Sequence, residues 1–247
     1  MQDMCAPAKL FIGTAGWSYK HWKEVFYSPD LPQTQWLAFY ARHYSTVEIN
    51  NSFYRLPTRE TFARWYEETP PEFVFSVKAS RYITHVKKLT GIEDAWHKFI
   101  ENAQGLQEKL GPILFQFPAN LHINSMKLHG FLEMLPGDRR YAFEFRHPSW
   151  FTGEIYALLE ETGAALVIAD SPNWPEVIKI TAPFTFIRMH GGKALYGSNY
   201  TLDELRMWAE KIAGFLDRRL DVYVYFNNDA FGYATINATQ LTEFLTR

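Results

Sequence analysis

Apolar and polar positions along the chain fall into two alternating patterns. Short segments rich in Val, Ile, Phe and Tyr occupy residues 9–17, 45–54, 72–80, 111–118, 141–147, 164–170, 184–190 and 221–228. Their composition and their bounding Gly, Pro, Asn and Asp residues predict eight β-strands. Between them lie amphipathic stretches with helical spacing, such as QTQWLAFYARH, TRETFARWYEE, IEDAWHKFIENAQGLQEKL and LDELRMWAEKIAGFLDRRL. The last follows Thr201 with Glu204 three residues on, a capping-box signature for a helix start. One step breaks the rhythm: SPNWPEVIKITAP, residues 171–183, holds three prolines and leaves room for little helix. Eight βα steps in 247 residues predict a single α/β domain, a TIM-type (β/α)8 barrel with an irregular sixth βα connection.

Strand side chains alternate between faces, so residues two apart point the same way. Glu48 pairs with Asn50 in this sense, Ser76 with Lys78, Glu144 with Arg146, and Arg188 with His190. Gln116, Asp170 and Asn227 take the corresponding late position in their own segments. The opposite faces read Val47 and Ile49, Phe75 and Val77, Phe143 and Phe145, Ile187 and Met189, which is a helix-facing core. The polar set is therefore expected to point into the barrel at the carboxyl ends of the strands, where barrel enzymes build their sites. Mutual pairing of the charges is the structural alternative, but desolvating each ion costs several kcal/mol, so stability alone explains the accumulation poorly.

Composition narrows the classes. With 47% hydrophobic and 17% aromatic residues the chain can bury a large core, and disorder is excluded. A formal charge of −2 without blocks of like charge gives no broad footprint for nucleic acid or anionic membrane. The opening MQDMCAPAKLFIG is not a signal peptide, and no apolar run reaches the length of a membrane span. Residues 1–8 read as a flexible leader, and the lone Cys5 cannot form an internal disulfide. A cytoplasmic location is expected.

Several chemistries fit the inward set. Glu144 is the candidate acid or base, with Glu48 and His190 as further catalytic candidates; Lys78, Arg81, Arg146 and Arg188 would orient an anionic substrate. Trp17, Tyr19 and Tyr54, together with Phe53, Trp150 and Trp174, follow strand ends and could wall a flat ligand, while Asn50, Gln116, Asp170, Asn227 and Gly191 complete the expected binding set. A metal held by Glu48, Glu144, Asp170 and His190 is a second possibility, without a motif to support it and with Arg and Lys opposing it. A carboxylate-pair glycosidase is a third. A binding barrel for a nucleotide, sugar phosphate or nucleic-acid base is the non-enzymatic alternative. The loop HGGKALYGSNY, residues 190–200, either cradles phosphate or is a flexible connection. No specific motif implies a cofactor, and no G-x-G-x-x-G follows the first strand.

The motifs GTAGWSYKHWKEVFY, STVEINNSFYRLP, FVFSVKASRYITH, LFQFP, EFRHPSW, RMHGG and YFNNDAFGYATINA, in this order over essentially the whole chain, resemble the YecE-like family, domain of unknown function 72. The resemblance implies a TIM barrel. It carries over Gly13, Gly16, Trp17 and Tyr19; Glu48, Asn50, Phe53 and Tyr54; Lys78 and Arg81; Gln116; Glu144, Arg146 and His147; Arg188, His190 and Gly191; and Asn227 and Asn228. It implies no activity.

Overall fold

A computed structural model describes residues 7–246; Cys5 and most of the expected leader lie outside the described residues. Eight strands run in chain order: β1 (Leu10–Thr14), β2 (Thr46–Ile49), β3 (Val74–Lys78), β4 (Leu110–Gln116), β5 (Tyr141–Glu144), β6 (Ala165–Asp170), β7 (Phe184–Met189) and β8 (Asp221–Phe226). From β2 to β8 each strand is hydrogen-bonded in parallel to its chain neighbour, and β8 returns to β1. The remaining seam, between β1 and β2, is joined by a bridge from Ala15 to Glu48, so the sheet is a nearly closed barrel.

Helices α1 (Trp36–Tyr40), α2 (Asn51–Tyr54), α3 (Arg59–Glu67), α4 (Glu93–Ala103), α5 (Ser125–Met134), α6 (Gly153–Thr162), α7 (Leu202–Asp217) and α8 (Tyr233–Leu245) fill the connections. As the prolines require, the β6–β7 connection contains no helix. The capping box at α7 is formed: Glu204 N donates to Thr201 Oγ1, and Thr201 N donates to Glu204 Oε2 at 2.7 Å. The strands are shorter than the apolar segments that predict them. After Ile49 the chain turns into α2, where Ser52 Oγ donates to the Lys78 carbonyl at 2.6 Å and ties the turn to β3.

The barrel interior is layered. Phe11, Phe184 and Tyr223 plug the amino-terminal end, with Phe11 stacked on Tyr223 at 4.7 Å. Above them Leu114, Ala142, Val167, Phe186 and Tyr225 complete an apolar plug, and a larger apolar layer lies between strands and helices. The polar residues sit above this plug, so the fold delivers them to one end.

Gly13 permits the closure. A Cβ there would strike the Thr46 carbonyl oxygen across the β1–β2 seam. Gly13→Ala is expected to lower stability by roughly 1–3 kcal/mol through forced displacement of backbone, measured by urea unfolding.

Candidate functional site at the barrel mouth

Four side chains from the ends of β2, β5 and β7 form the floor of the mouth. Arg188 donates through Nε to Glu48 Oε2 at 2.9 Å and through Nη2 to Glu48 Oε1 at 2.7 Å, a bidentate pair. Its Nη1 donates to Glu144 Oε2 at 2.5 Å, and Arg146 Nε donates to Glu144 Oε1 at 2.7 Å. All four carboxylate oxygens therefore accept a charged donor. Glu48, Glu144 and Arg188 are fully buried. Burial alone would raise the Glu144 carboxyl, but Arg188 and then Arg146 overcome it and hold the group well below the ordinary carboxylate range. An ionised carboxylate with both oxygens committed is a poor proton acceptor near neutrality, so the expected acid–base role does not suit Glu144.

Lys78, from the end of β3, is placed differently. Its Nζ donates to Gln116 Oε1 at 3.0 Å and lies 4.1 Å from the Phe53 ring centre, with no carboxylate in ion-pair reach among the described residues. Burial first, and then repulsion from Arg188, lowers its pKa to about 7. Gln116 Nε2 donates to the Phe117 carbonyl at 2.9 Å, which fixes the amide so that its oxygen faces Lys78. The same amide nitrogen lies 3.5 Å from His85 Nε2. His85 Nδ1 meets Thr84 Oγ1 at 2.8 Å, so the tautomer carrying the Nδ1 proton turns the Nε2 lone pair toward the Gln116 amide at the edge of the cleft. Burial, then Lys78 and Arg146, lowers this histidine to about 4, and it is neutral at physiological pH.

These groups open onto a cleft of about 610 Å³ whose lining includes Lys78, Arg81, His85, Gln116, Arg146 and Arg188. Tyr19, Asn50, Tyr54 and Asn227 line it too, as the sequence suggested, with Tyr54 standing 75% exposed at the rim. Five further lining residues were not singled out from the sequence: His85, His21, Tyr196, Asp229 and Ala230. His85 ends the motif that supplies Lys78 and Arg81, on a π-helical turn over residues Tyr82–Val86 that apolar spacing does not reveal. Asp229 directly follows the Asn227–Asn228 pair and holds His21 Nε2 at 3.0 Å and Trp22 Nε1 at 2.6 Å.

Other expected site residues lie elsewhere. Asp170 points away from the barrel: Ala165, Val167 and Ala169 face in, so Leu166, Ile168 and Asp170 face the helices. Its Oδ2 accepts from Trp208 Nε1 of α7 at 2.8 Å. Trp17 is packed edge-on against Trp65 at 5.0 Å in the helix-facing core, and Trp150 stacks on Phe145 at 4.7 Å. Neither walls the cleft. His190 does point inward but is fully buried beneath Trp174 and Tyr196; its Nδ1 meets Asn227 Nδ2 at 3.1 Å, while its Nε2 stands 3.7 Å from Glu144 Oε2. Trp174 instead covers the Arg146 guanidinium at 4.1 Å.

The four postulated metal ligands are thus not brought together, since Asp170 faces outward and Arg188 occupies Glu48 and Glu144. Arg188 bridges Glu48 and Glu144, and both are fully buried, so these two do not form the open carboxylate pair that a glycosidase uses. The 190–200 loop is no phosphate cradle either. Gly191 N donates to Tyr200 OH, Lys193 N and Ala194 N donate to Ser198 Oγ, and Tyr196 N donates to the His190 carbonyl, so these amides are spent internally.

Fold and site together define a TIM-type barrel with a partly cationic cleft at its carboxyl-terminal mouth. The chain belongs to the family described as "Protein of unknown function DUF72", whose model matches residues 11–247. It is 32% identical to the UPF0759 protein YecE of Escherichia coli K12 over 168 residues, which is 66% of this chain and 59% of that protein. The match to the UPF0759 protein YunF of Bacillus subtilis is 28% identical and covers 96% of this chain and 94% of that one. Among solved structures, a DUF72 family protein of Thermotoga maritima superposes with a TM-score of 0.86 at 30% identity, covering 97% of this chain and 100% of that one. One from Enterococcus faecalis, at 23% identity, shares the fold with a TM-score of 0.84 over 96% of each chain. Among the described residues no helix is long and apolar enough to cross a membrane.

Proposed function

We propose that this chain is an enzyme that acts on a small substrate bearing phosphate or carboxylate, by acid–base chemistry at the barrel mouth. The observation that carries the reading is the division of the cations. Arg188 is consumed by the floor carboxylates, whereas Arg81 has no carboxylate partner among the described residues and lines the cleft beside Lys78 and the partly exposed Arg146. An anion entering the cleft meets unspent donors. Lys78, able to exist as a neutral amine near pH 7, is the proton acceptor, and neutral His85 is positioned to exchange a proton with the same ligand. Glu144 and Glu48 act by fixing Arg188 and Arg146 rather than by moving protons.

A panel of phosphorylated and carboxylated small metabolites, incubated with the protein in deuterated buffer and followed by NMR, tests this. The expected result is turnover or solvent-deuterium incorporation for one class, reduced about 10²–10⁴-fold in Lys78→Met. Arg81→Gln should weaken apparent affinity for the anion about tenfold. Saturable binding of anions with neither exchange nor turnover would sink the enzymatic reading in favour of a binding barrel.

A further inference from the structure

We propose that Lys78 is a covalent catalyst, its amine condensing with the aldehyde or ketone of a substrate whose phosphate or carboxylate is held by Arg81 and Arg146. The inference rests on the reading of the cleft as an anion site and adds the reacting group of the substrate.

Two buried lysines in this molecule have opposite surroundings. Lys109, 4% exposed and remote from the cleft, donates to the Tyr66 carbonyl at 2.6 Å, the Thr69 carbonyl at 2.8 Å and Thr69 Oγ1 at 3.2 Å. Three acceptors for three N–H bonds describe a structural ammonium. Lys78, 8% exposed, has one acceptor, Gln116 Oε1, and the face of Phe53; its remaining directions open on the cleft. Such surroundings leave a buried ammonium under-satisfied but suit a neutral amine, which needs fewer acceptors and has a lone pair to offer. Desolvation beside another cation is the usual way in which a lysine is made nucleophilic, and the downward shift of this group agrees.

The chemistry balances without redox partners. The Lys78 lone pair forms a C–N bond with the carbonyl carbon while the C=O π pair moves to oxygen. Nitrogen releases a proton and the alkoxide takes one, giving a carbinolamine. A second protonation of that oxygen lets it leave as water, so amine, carbonyl and one proton yield a protonated imine and water. His85 Nε2, which shares the Gln116 amide with Lys78, is placed to carry the proton between nitrogen and oxygen. The imine then serves as an electron sink for proton removal beside the former carbonyl, which joins this step to the acid–base reading.

Glyoxylate, an aldehyde bearing a carboxylate, with sodium borohydride as the trap is the probe to use on the intact protein, followed by peptide mapping. At pH 7 about half of Lys78 is neutral, against roughly one in three thousand for an ordinary lysine. Carboxymethylation of Lys78 should therefore outpace that of exposed lysines by at least about tenfold after allowance for its lower basicity. It should be slowed by inorganic phosphate and absent in Lys78→Arg, which keeps the charge. Modification of exposed lysines with Lys78 untouched overturns the proposal. If phosphate still raises the melting temperature of that sample, the anion site survives and only the imine falls. Equal labelling by neutral propionaldehyde, unprotected by phosphate, also overturns it, because the lysine would then be reactive without the anion site that defines its substrate.

Discussion

Arg188→Met is expected to leave the protein largely unfolded at neutral pH. Among the described residues Arg188 is the sole donor to both oxygens of Glu48 and one of two donors to Glu144, and all three groups are fully buried. Removing one partner of a buried ion pair costs roughly 3–5 kcal/mol; leaving Glu48 without a donor and Glu144 with Arg146 alone should cost about 5 kcal/mol or more, comparable with the whole stability of many domains. The pH dependence carries a diagnostic sign. In the wild type the Glu144 carboxyl lies well below its ordinary value, so its contribution is present above about pH 4.5 and is lost as pH falls through the lower folded value. In the variant, acidification neutralises the stranded carboxylates and should restore folded protein, so the slope reverses. Circular dichroism between pH 2 and 8 reads both slopes. Replacing the whole unit, Glu48→Leu with Glu144→Leu and Arg188→Met, should recover much of the loss if the network serves the site more than the stability.

The second large effect has the opposite direction. Lys78→Met is expected to stabilise the fold while lowering the proposed activity about 10²–10⁴-fold. A lysine shifted from its ordinary 10.5 to about 7 by burial destabilises the native state by on the order of 4 kcal/mol at pH 7. Loss of the bond to Gln116 offsets about 1 kcal/mol, so a net gain of roughly 2–3 kcal/mol should appear in urea unfolding. Between about pH 7 and 10.5 the unfolded chain holds this proton and the native protein does not. Wild-type stability therefore rises across that window, the advantage of the methionine shrinks there, and below pH 7 it is constant. An advantage that stayed flat up to pH 10 would mean that the lysine is not desolvated in the native state.

Much of the architecture is legible in the residues. Eight apolar segments, the capping box at Thr201 and the proline-rich sixth connection correspond to real elements because each depends on local chemistry. The inward position of Glu48, Lys78, Glu144, Arg146 and Arg188 is legible too, since their strands carry polar residues on one face only. Asp170 escapes the same rule because AALVIAD is apolar on both faces and alternation there has no phase to read. Roles are harder to see than positions. Whether Glu144 is a free base or a clamp depends on Arg188, 44 residues away in the chain, and on register between strands. His85 depends on a π-helical turn, and the burial of Trp17 and Trp150 on tertiary packing, none of which has a periodic signature.

The absence of a helix between β6 and β7 has a kinetic consequence. The side of the barrel that such a helix would cover is tended by α7, which reaches the end of β6 through Trp208 to Asp170 and the β6–β7 connection through Lys211 to Glu176. That connection holds Trp174 over Arg146, and the loop leading into α7 brings the Tyr196 hydroxyl 3.4 Å from the same guanidinium. Both covers of Arg146 are thus moored to one helix. Fluctuations that loosen α7 would release the two covers together, so this corner of the mouth behaves as one opening unit whose amides exchange with solvent in concert.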